Sequence, residues 1–158
     1  MATIVTVLDA LVELEEALRD LYLWLSEIYS RDPFSSGVFY RLSLKEASHV
    51  NLVRCQRRIV LERTGHPVRV EVDMSEAHAL IREIRTFRMQ SEEPHLDDAV
   101  RFAMAIEIGA ADRVHTAETA DRDPDTQQLV RVLSADDRKH HEVLKKLAEK
   151  TTSNTEEP

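Results

Sequence analysis

Residues 31–49 read RDPFSSGVFYRLSLKEASH, and residues 122–140 read RDPDTQQLVRVLSADDRKH. Both open on Arg-Asp-Pro, leave eight residues, reach Leu-Ser, and then set an acid three residues ahead of a His. The acid and His are Glu46 and His49 in the first copy, Asp137 and His140 in the second. Every matched position is offset by the same 91 residues, which marks a duplicated helical hairpin. Asp-Pro begins a helix well, because the Asp side chain caps free amides and Pro at the first helical position has no N–H to leave unpaired. Each copy therefore reads as the start of a long helix.

The rest of the chain supplies partners for these two. From about Thr3 to Ser30, apolar residues recur at Leu8, Leu11, Leu18, Tyr22, Leu25 and Tyr29, in the three-and-four rhythm of one helical face. The helix from Pro33 should run to about Arg63, where Gly65 and Pro67 end it. Residues 66–72 read as irregular. Asp73 and Glu76 have capping-box spacing and open an amphipathic crossover helix with Ala77, Ile81, Ile84 and Phe87 on its apolar face. A third long helix is expected from about Pro94 or Asp97 to Ala120, and a fourth from Asp123-Pro124 to near Lys150. Three Gly and five Pro in 158 residues leave little material for the turns of a sheet, so the expected class is all-α. Residues 1–150 should form one domain of four helices with the extra short helix in its crossover, and the polar residues 151–158 a disordered tail.

An acid three residues before a His is weak evidence alone, since the sequence contains four such pairs. Phase separates them. Glu46 and His49 continue the stripe Leu42, Val53, while Asp137 and His140 continue Val130, Leu133, Leu144, Leu147, so both pairs point to the core. Glu92 and His95 straddle Pro94, and Asp112 and His115 are expected off the apolar face. Two further carboxylates interrupt apolar stripes: Glu15, between Leu11 and Leu18, and Glu107, between Met104 and Ala110 or Ala111. Counting back from the hairpin turn at about 1.5 Å per residue brings Glu15 level with Glu46, and the same count brings Glu107 level with Asp137. Two hairpins thus present the same three-residue set at one height.

Four carboxylates and two imidazoles in a core are costly when left alone, and two divalent cations would offset them. Oxygen and nitrogen donors without thiolate suit iron, manganese or, less well, zinc. The plain alternative is a metal-free network of ion pairs and hydrogen bonds. His141 lies beside the stripe, and His66, His78 and His95 sit in or near loops. Cys55, the only cysteine, excludes an internal disulfide and a cysteine-only iron site within these residues. A net charge of -8 with dispersed Arg argues against nucleic acid. Asp9 and Glu13 interrupt any membrane span near the N-terminus, and no basic leader precedes them, so a cytoplasmic location is expected.

These residues resemble the rubrerythrin branch of the ferritin-like superfamily, in which two helices each give a Glu and two others each give Glu-x-x-His. The resemblance rests on Leu14-Glu15-Glu16-Ala17 with Tyr22, Glu46-Ala47-Ser48-His49, Ala105-Ile106-Glu107 and Asp137-Arg138-Lys139-His140. It implies a ferritin-like four-helix bundle holding two iron ions on Glu15, Glu46, His49, Glu107, Asp137 and His140, with Tyr22 hydrogen-bonded to a ligand carboxylate. It also implies an oxidoreductase in which ferrous iron reduces hydrogen peroxide or dioxygen. Iron uptake, delivery or storage without turnover is the alternative, and a metal-free structural bundle the third. Position 137 departs from the family Glu, helix 3 lacks an additional Glu, its position equivalent to Tyr22 is Val114, and there is no rubredoxin-like domain. Electrons would come from an external donor. Finally, Leu21 to Leu25 are apolar around the whole helix, and Trp24 points nearly opposite to Glu15, so a homodimer or larger assembly burying Trp24 or its neighbours is expected.

Overall fold

The computed structural model describes residues 2–64, 68–70, 72–115 and 123–155. The two Asp-Pro starts fold as their chemistry requires. At the first, Asp32 Oδ1 accepts the Phe34 N–H at 3.1 Å, and the Ser35 hydroxyl donates to Asp32 Oδ2. At the second, the Thr126 hydroxyl donates to Asp123 Oδ2 at 2.6 Å, and the Asp123 carbonyl accepts the Gln127 N–H at 3.0 Å. The helices that follow, α2 (Pro33–Thr64) and α5 (Pro124–Thr155), are each 32 residues long. The repeat therefore extends from sequence to capping geometry and helix length.

Helix α1 (Ile4–Ile28) is capped by Thr3, whose hydroxyl oxygen accepts the Thr6 N–H. Helix α4 (Leu96–Gly109) continues into a π-helical turn at Ala110–Val114. Side-chain pairs fix the directions of the four long elements. Asp9 pairs with Arg57 and Glu16 with Arg54, so α1 and α2 run antiparallel. Asp97 meets Thr151 and Asp112 meets Arg138, so α4 and α5 do too. Tyr22 meets Glu107 and Tyr29 the Pro94 carbonyl, which makes α1 and α4 antiparallel. Since α1 opposes both α2 and α4, those two run parallel, and the chain between them must travel back along the whole length.

That return path is the crossover. It first makes a two-residue antiparallel pairing, β2 (Arg69–Val70) against β1 (Ala2–Thr3), and then forms α3 (Ser75–Gln90). Phe87 of α3 stacks on Phe102 of α4 with ring centroids 4.0 Å apart, and presents its edge to Trp24 of α1 at 6.3 Å. The Arg88 guanidinium lies 5.6 Å over the Trp24 ring. The Trp24 ring is thus packed against this chain's own crossover helix, while its neighbour Leu23 stays exposed. The core joins Leu8, Leu11, Leu14 and Leu18 of α1 to Phe39 of α2, Leu80 and Ile84 of α3, Ile106 of α4 and Leu133 of α5.

The all-α class is as expected; Arg69–Val70, read as irregular, pair as β2, and three details of the helices differ. Asp73 accepts the Ser75 N–H at 2.8 Å from one residue ahead of the N-cap, Met74, and Glu76 pairs with Arg113 instead of closing a capping box. Helix α5 passes Lys150 to Thr155, because Thr151, Thr152 and Ser153 return their hydroxyls to the carbonyls of Ala148 and Glu149; residues 156–158 of the expected tail lie outside the described residues. Third, α4 does not stay α-helical to Ala120; residues 116–122 lie outside the described residues. Among the described residues, no helix is long and apolar enough to cross a membrane.

Phe87→Ala should remove the aromatic contact between the crossover and α1. Because Phe87 is only partly buried, we expect a loss of about 1–3 kcal/mol in urea unfolding, below the full-core range. Trp24, the only tryptophan, should shift its emission to the red. Unchanged emission would contradict the packing of α3 on this face.

Candidate metal centre

All six residues singled out as metal ligands converge in the middle of the helices. Glu15, Glu46, Glu107 and Asp137 are 0 % exposed, His49 3 % and His140 5 %. Each carboxylate holds a position on an apolar stripe, so burying the stripe carries the charge inward with it. His49 Nδ1 lies 3.0 Å from Glu46 Oε2 and 3.2 Å from Glu15 Oε2. His140 Nδ1 lies 2.8 Å from Glu46 Oε1 and 3.6 Å from Glu107 Oε1. Both imidazoles therefore turn Nδ1 to the carboxylates, and their rings stack at 5.4 Å. On its outer side, His49 Nε2 lies 3.4 Å from the part-exposed Asp136.

The donor atoms fall into two sets that share Glu46. Glu15, Glu46, His49 and Asp137 form one, and Glu46, Glu107 and His140 the other, with the donor atoms of each set all within 4.8 Å of one another. Asp137 belongs only to the His49 set. His141 belongs to neither and lies 3.8 Å from Glu142 instead. Cys55 is exposed and remote from the role of ligand.

Tyr22 does what was expected of it, donating its hydroxyl to Glu107 Oε1. His115 overturns its expectation. It is buried at 3 % exposure, with Nδ1 2.8 Å from Asp137 Oδ2 and Nε2 3.3 Å from Glu15 Oε1. The cause is the π turn: the His115 N–H bonds to the Ala110 carbonyl, five residues back, at 3.0 Å. One extra residue in the turn sets the helical phase back by about 100° and moves His115 from the flank to the core. Regular periodicity through α4 hides this. The visible hint is the run of small residues Gly109-Ala110-Ala111, immediately ahead of the His.

Burial and crowding set the electrostatics. Burial pushes Glu107 up to about 8, helped by the charge of Glu46, and also raises Glu46 and Asp137. Burial would raise Glu15 as well, but His115 and His49 beside it hold it well below the usual carboxylate range. Burial disfavours the charged imidazoles, yet their carboxylate neighbours outweigh it, lifting His49 to about 11 and His115 and His140 to about 10. Burial, with the charges of Glu107 and Glu46, raises Tyr22 well above the phenol range, so it stays a donor.

Close approach has not produced a satisfied network. Among the described residues, every fully buried side-chain nitrogen or oxygen without a hydrogen-bond partner belongs to this cluster: one oxygen each of Glu15, Glu46 and Glu107, both of Asp137, both nitrogens of His115, and His140 Nδ1. His140 Nδ1 is 2.8 Å from Glu46 Oε1, but off the hydrogen-bonding direction, so that contact is electrostatic only. Unsatisfied donors and acceptors converging from four helices, all oxygen or imidazole nitrogen, fit the donor set of a hard or borderline divalent cation. The class defined so far is an all-α protein with a buried carboxylate and imidazole cluster able to hold metal. No protein-family model matches the chain, and neither a curated protein nor a solved structure does.

In metal-free protein, Glu107→Gln should relieve the crowding while preserving size and the acceptor for Tyr22. Glu107 is raised in the folded state, so its burial weakens folding progressively as pH rises from about 4.5 to about 8. The Gln variant should therefore match the parent near pH 4.5 and exceed it by about 1–4 kcal/mol at pH 8, read by chemical unfolding in chelator. A variant less stable than the parent at pH 8 would contradict carboxylate crowding.

Proposed function

We propose that the chain is a ferritin-like di-metal carboxylate protein, related in site design to rubrerythrins, that uses two iron ions to reduce hydrogen peroxide or dioxygen. The observation that carries this reading is the pair of donor sets joined at Glu46, drawn from four helices and, together with His115 beside them, holding all the unsatisfied buried polar atoms among the described residues. The directions of the helices support the fold part of the reading. Two antiparallel hairpins joined by a crossover that makes α2 and α4 parallel is the ferritin-like arrangement.

Glu46 can offer one oxygen to each metal, because Oε2 faces His49 and Oε1 faces His140. Glu15 and Asp137 complete the first set, and Glu107 the second. Their negative charge favours the ferric over the ferrous state. When bound, two ferrous ions supply one electron each, enough with two protons to take hydrogen peroxide to two water molecules. Tyr22 holds the Glu107 carboxylate in place through its hydroxyl. Asp136, touching His49 from the surface side, links the cluster to solvent and to Lys139. Reducing equivalents for a second turnover would come from an external donor. Manganese or zinc would also fit the donor set, and iron binding or delivery without turnover is the alternative reading.

The test is anaerobic ferrous titration of the metal-free protein, followed by hydrogen peroxide. Two irons per chain and rapid peroxide loss are expected. Binding without peroxide loss would favour iron delivery, and no binding would refute the metal reading. His49→Ala and His140→Ala should each lose at least one iron by elemental analysis, with helical content retained, while His95→Ala should keep both.

A further inference from the structure

The two halves of the cluster are related by the sequence repeat, but they are not equivalent, and the difference begins at the π turn. Tyr22 stands seven residues after Glu15 and reaches across to Glu107 on α4. Symmetry asks for a residue on α4 that reaches back to Glu15. Seven residues after Glu107 is Val114, an apolar residue buried at 5 % exposure. The extra residue of the π turn hands that place to His115, whose Nε2 lies 3.3 Å from Glu15 Oε1.

The turn is held in place by a second difference between the halves. Because the His115 N–H bonds to the Ala110 carbonyl, the Ala111 carbonyl is left to another donor, and Ser134 supplies it with a hydroxyl at 3.0 Å. Ser43, its counterpart in the repeat, bonds within its own helix to the Tyr40 carbonyl at 2.7 Å. Matched residues thus serve different ends. In the second half, Ser134 on α5 anchors the turn that aims His115.

His115 also does something Tyr22 does not, since its other nitrogen lies 2.8 Å from Asp137 Oδ2, a charge contact like the one to Glu15 and not an aligned hydrogen bond. One rigid ring spans Glu15 of α1 and Asp137 of α5, both in the His49 donor set. Asp137 has no place in the His140 set, which is left with three residues where its counterpart has four.

Resting on the di-metal reading above, we propose that His115 is a positioning residue that ties Asp137 to the His49 pole and so makes the centre asymmetric. The His49 pole is closed by four protein ligands. The His140 pole would be held by Glu46, Glu107 and His140 alone, which would leave it the more open of the two to a small oxidant or anion. Losing a group that orients a ligand costs metal affinity by about 10–100-fold, and that is the effect expected at the tight step here.

Isothermal titration of metal-free protein with cobalt(II), run anaerobically and alongside the visible spectrum, separates the possibilities. The parent should bind two ions in unequal steps, and azide should perturb the spectrum only after the second is filled. His115→Leu, similar in bulk, should weaken the tight step by about 10–100-fold and keep two ions per chain, drawing the steps together. His115→Gln should recover part of the loss through its side-chain amide, and remains as the test if the Leu variant does not fold by circular dichroism. Asp137→Glu, long enough to reach both poles, should strengthen the second step with His115 in place. Unchanged steps in both His115 variants would overturn the positioning role, and so would loss of one ion outright, since His115 would then be a ligand itself. A parent that binds no cobalt or ferrous ion would refute the di-metal reading and this inference with it; two equal steps in a parent that does bind would refute this inference alone.

Discussion

Four carboxylates without solvent contact stand within one helical core, and nearly everything else in the structure can be related to that concentration of charge. A buried carboxylate is tolerated when its charge is matched and its lone pairs are used. Imidazoles match part of the charge, but the geometry leaves lone pairs and ring nitrogens unused at the centre. The apolar scaffold must hold these groups together against their repulsion. Long helices do this economically, because each charged residue is carried by several turns of buried Leu, Val and Ile on either side.

The chain order follows from the same need. Bringing one acid from each of two helices and an acid with a His from each of two others to a common level requires antiparallel neighbours of matched length. The duplicated Asp-Pro starts set that length on α2 and α5, and the crossover restores direction between the halves. Helix α3 then covers the side of α1 that would otherwise expose Trp24.

How far the site was legible in the sequence depended on how regular each helix is. Glu15, Glu46, His49, Asp137 and His140 lie on uninterrupted α-helices, where position along the chain gives direction directly, and Glu107 precedes the irregularity. His115 lies beyond it. A single residue inserted in a turn shifts every later side chain by more than a quarter of a circle, and nothing in apolar periodicity announces it, because Val114 and His115 are both buried. The length of α5 was misjudged for another reason: Thr151, Thr152 and Ser153 look like linker residues, yet each satisfies its hydroxyl on the preceding turn. Periodicity on α1 likewise does not show that α3 packs on Trp24.

The account stands or falls on whether metal occupies the space between these side chains. Crystals of protein loaded anaerobically with ferrous iron, measured on both sides of the iron absorption edge, answer this most directly. The account predicts two anomalous peaks about 3.5–4 Å apart, with Glu46 between them, His49 Nδ1 on one and His140 Nδ1 on the other. Anomalous density confined to surface carboxylates, with the cluster closed by hydrogen bonds alone, would contradict it.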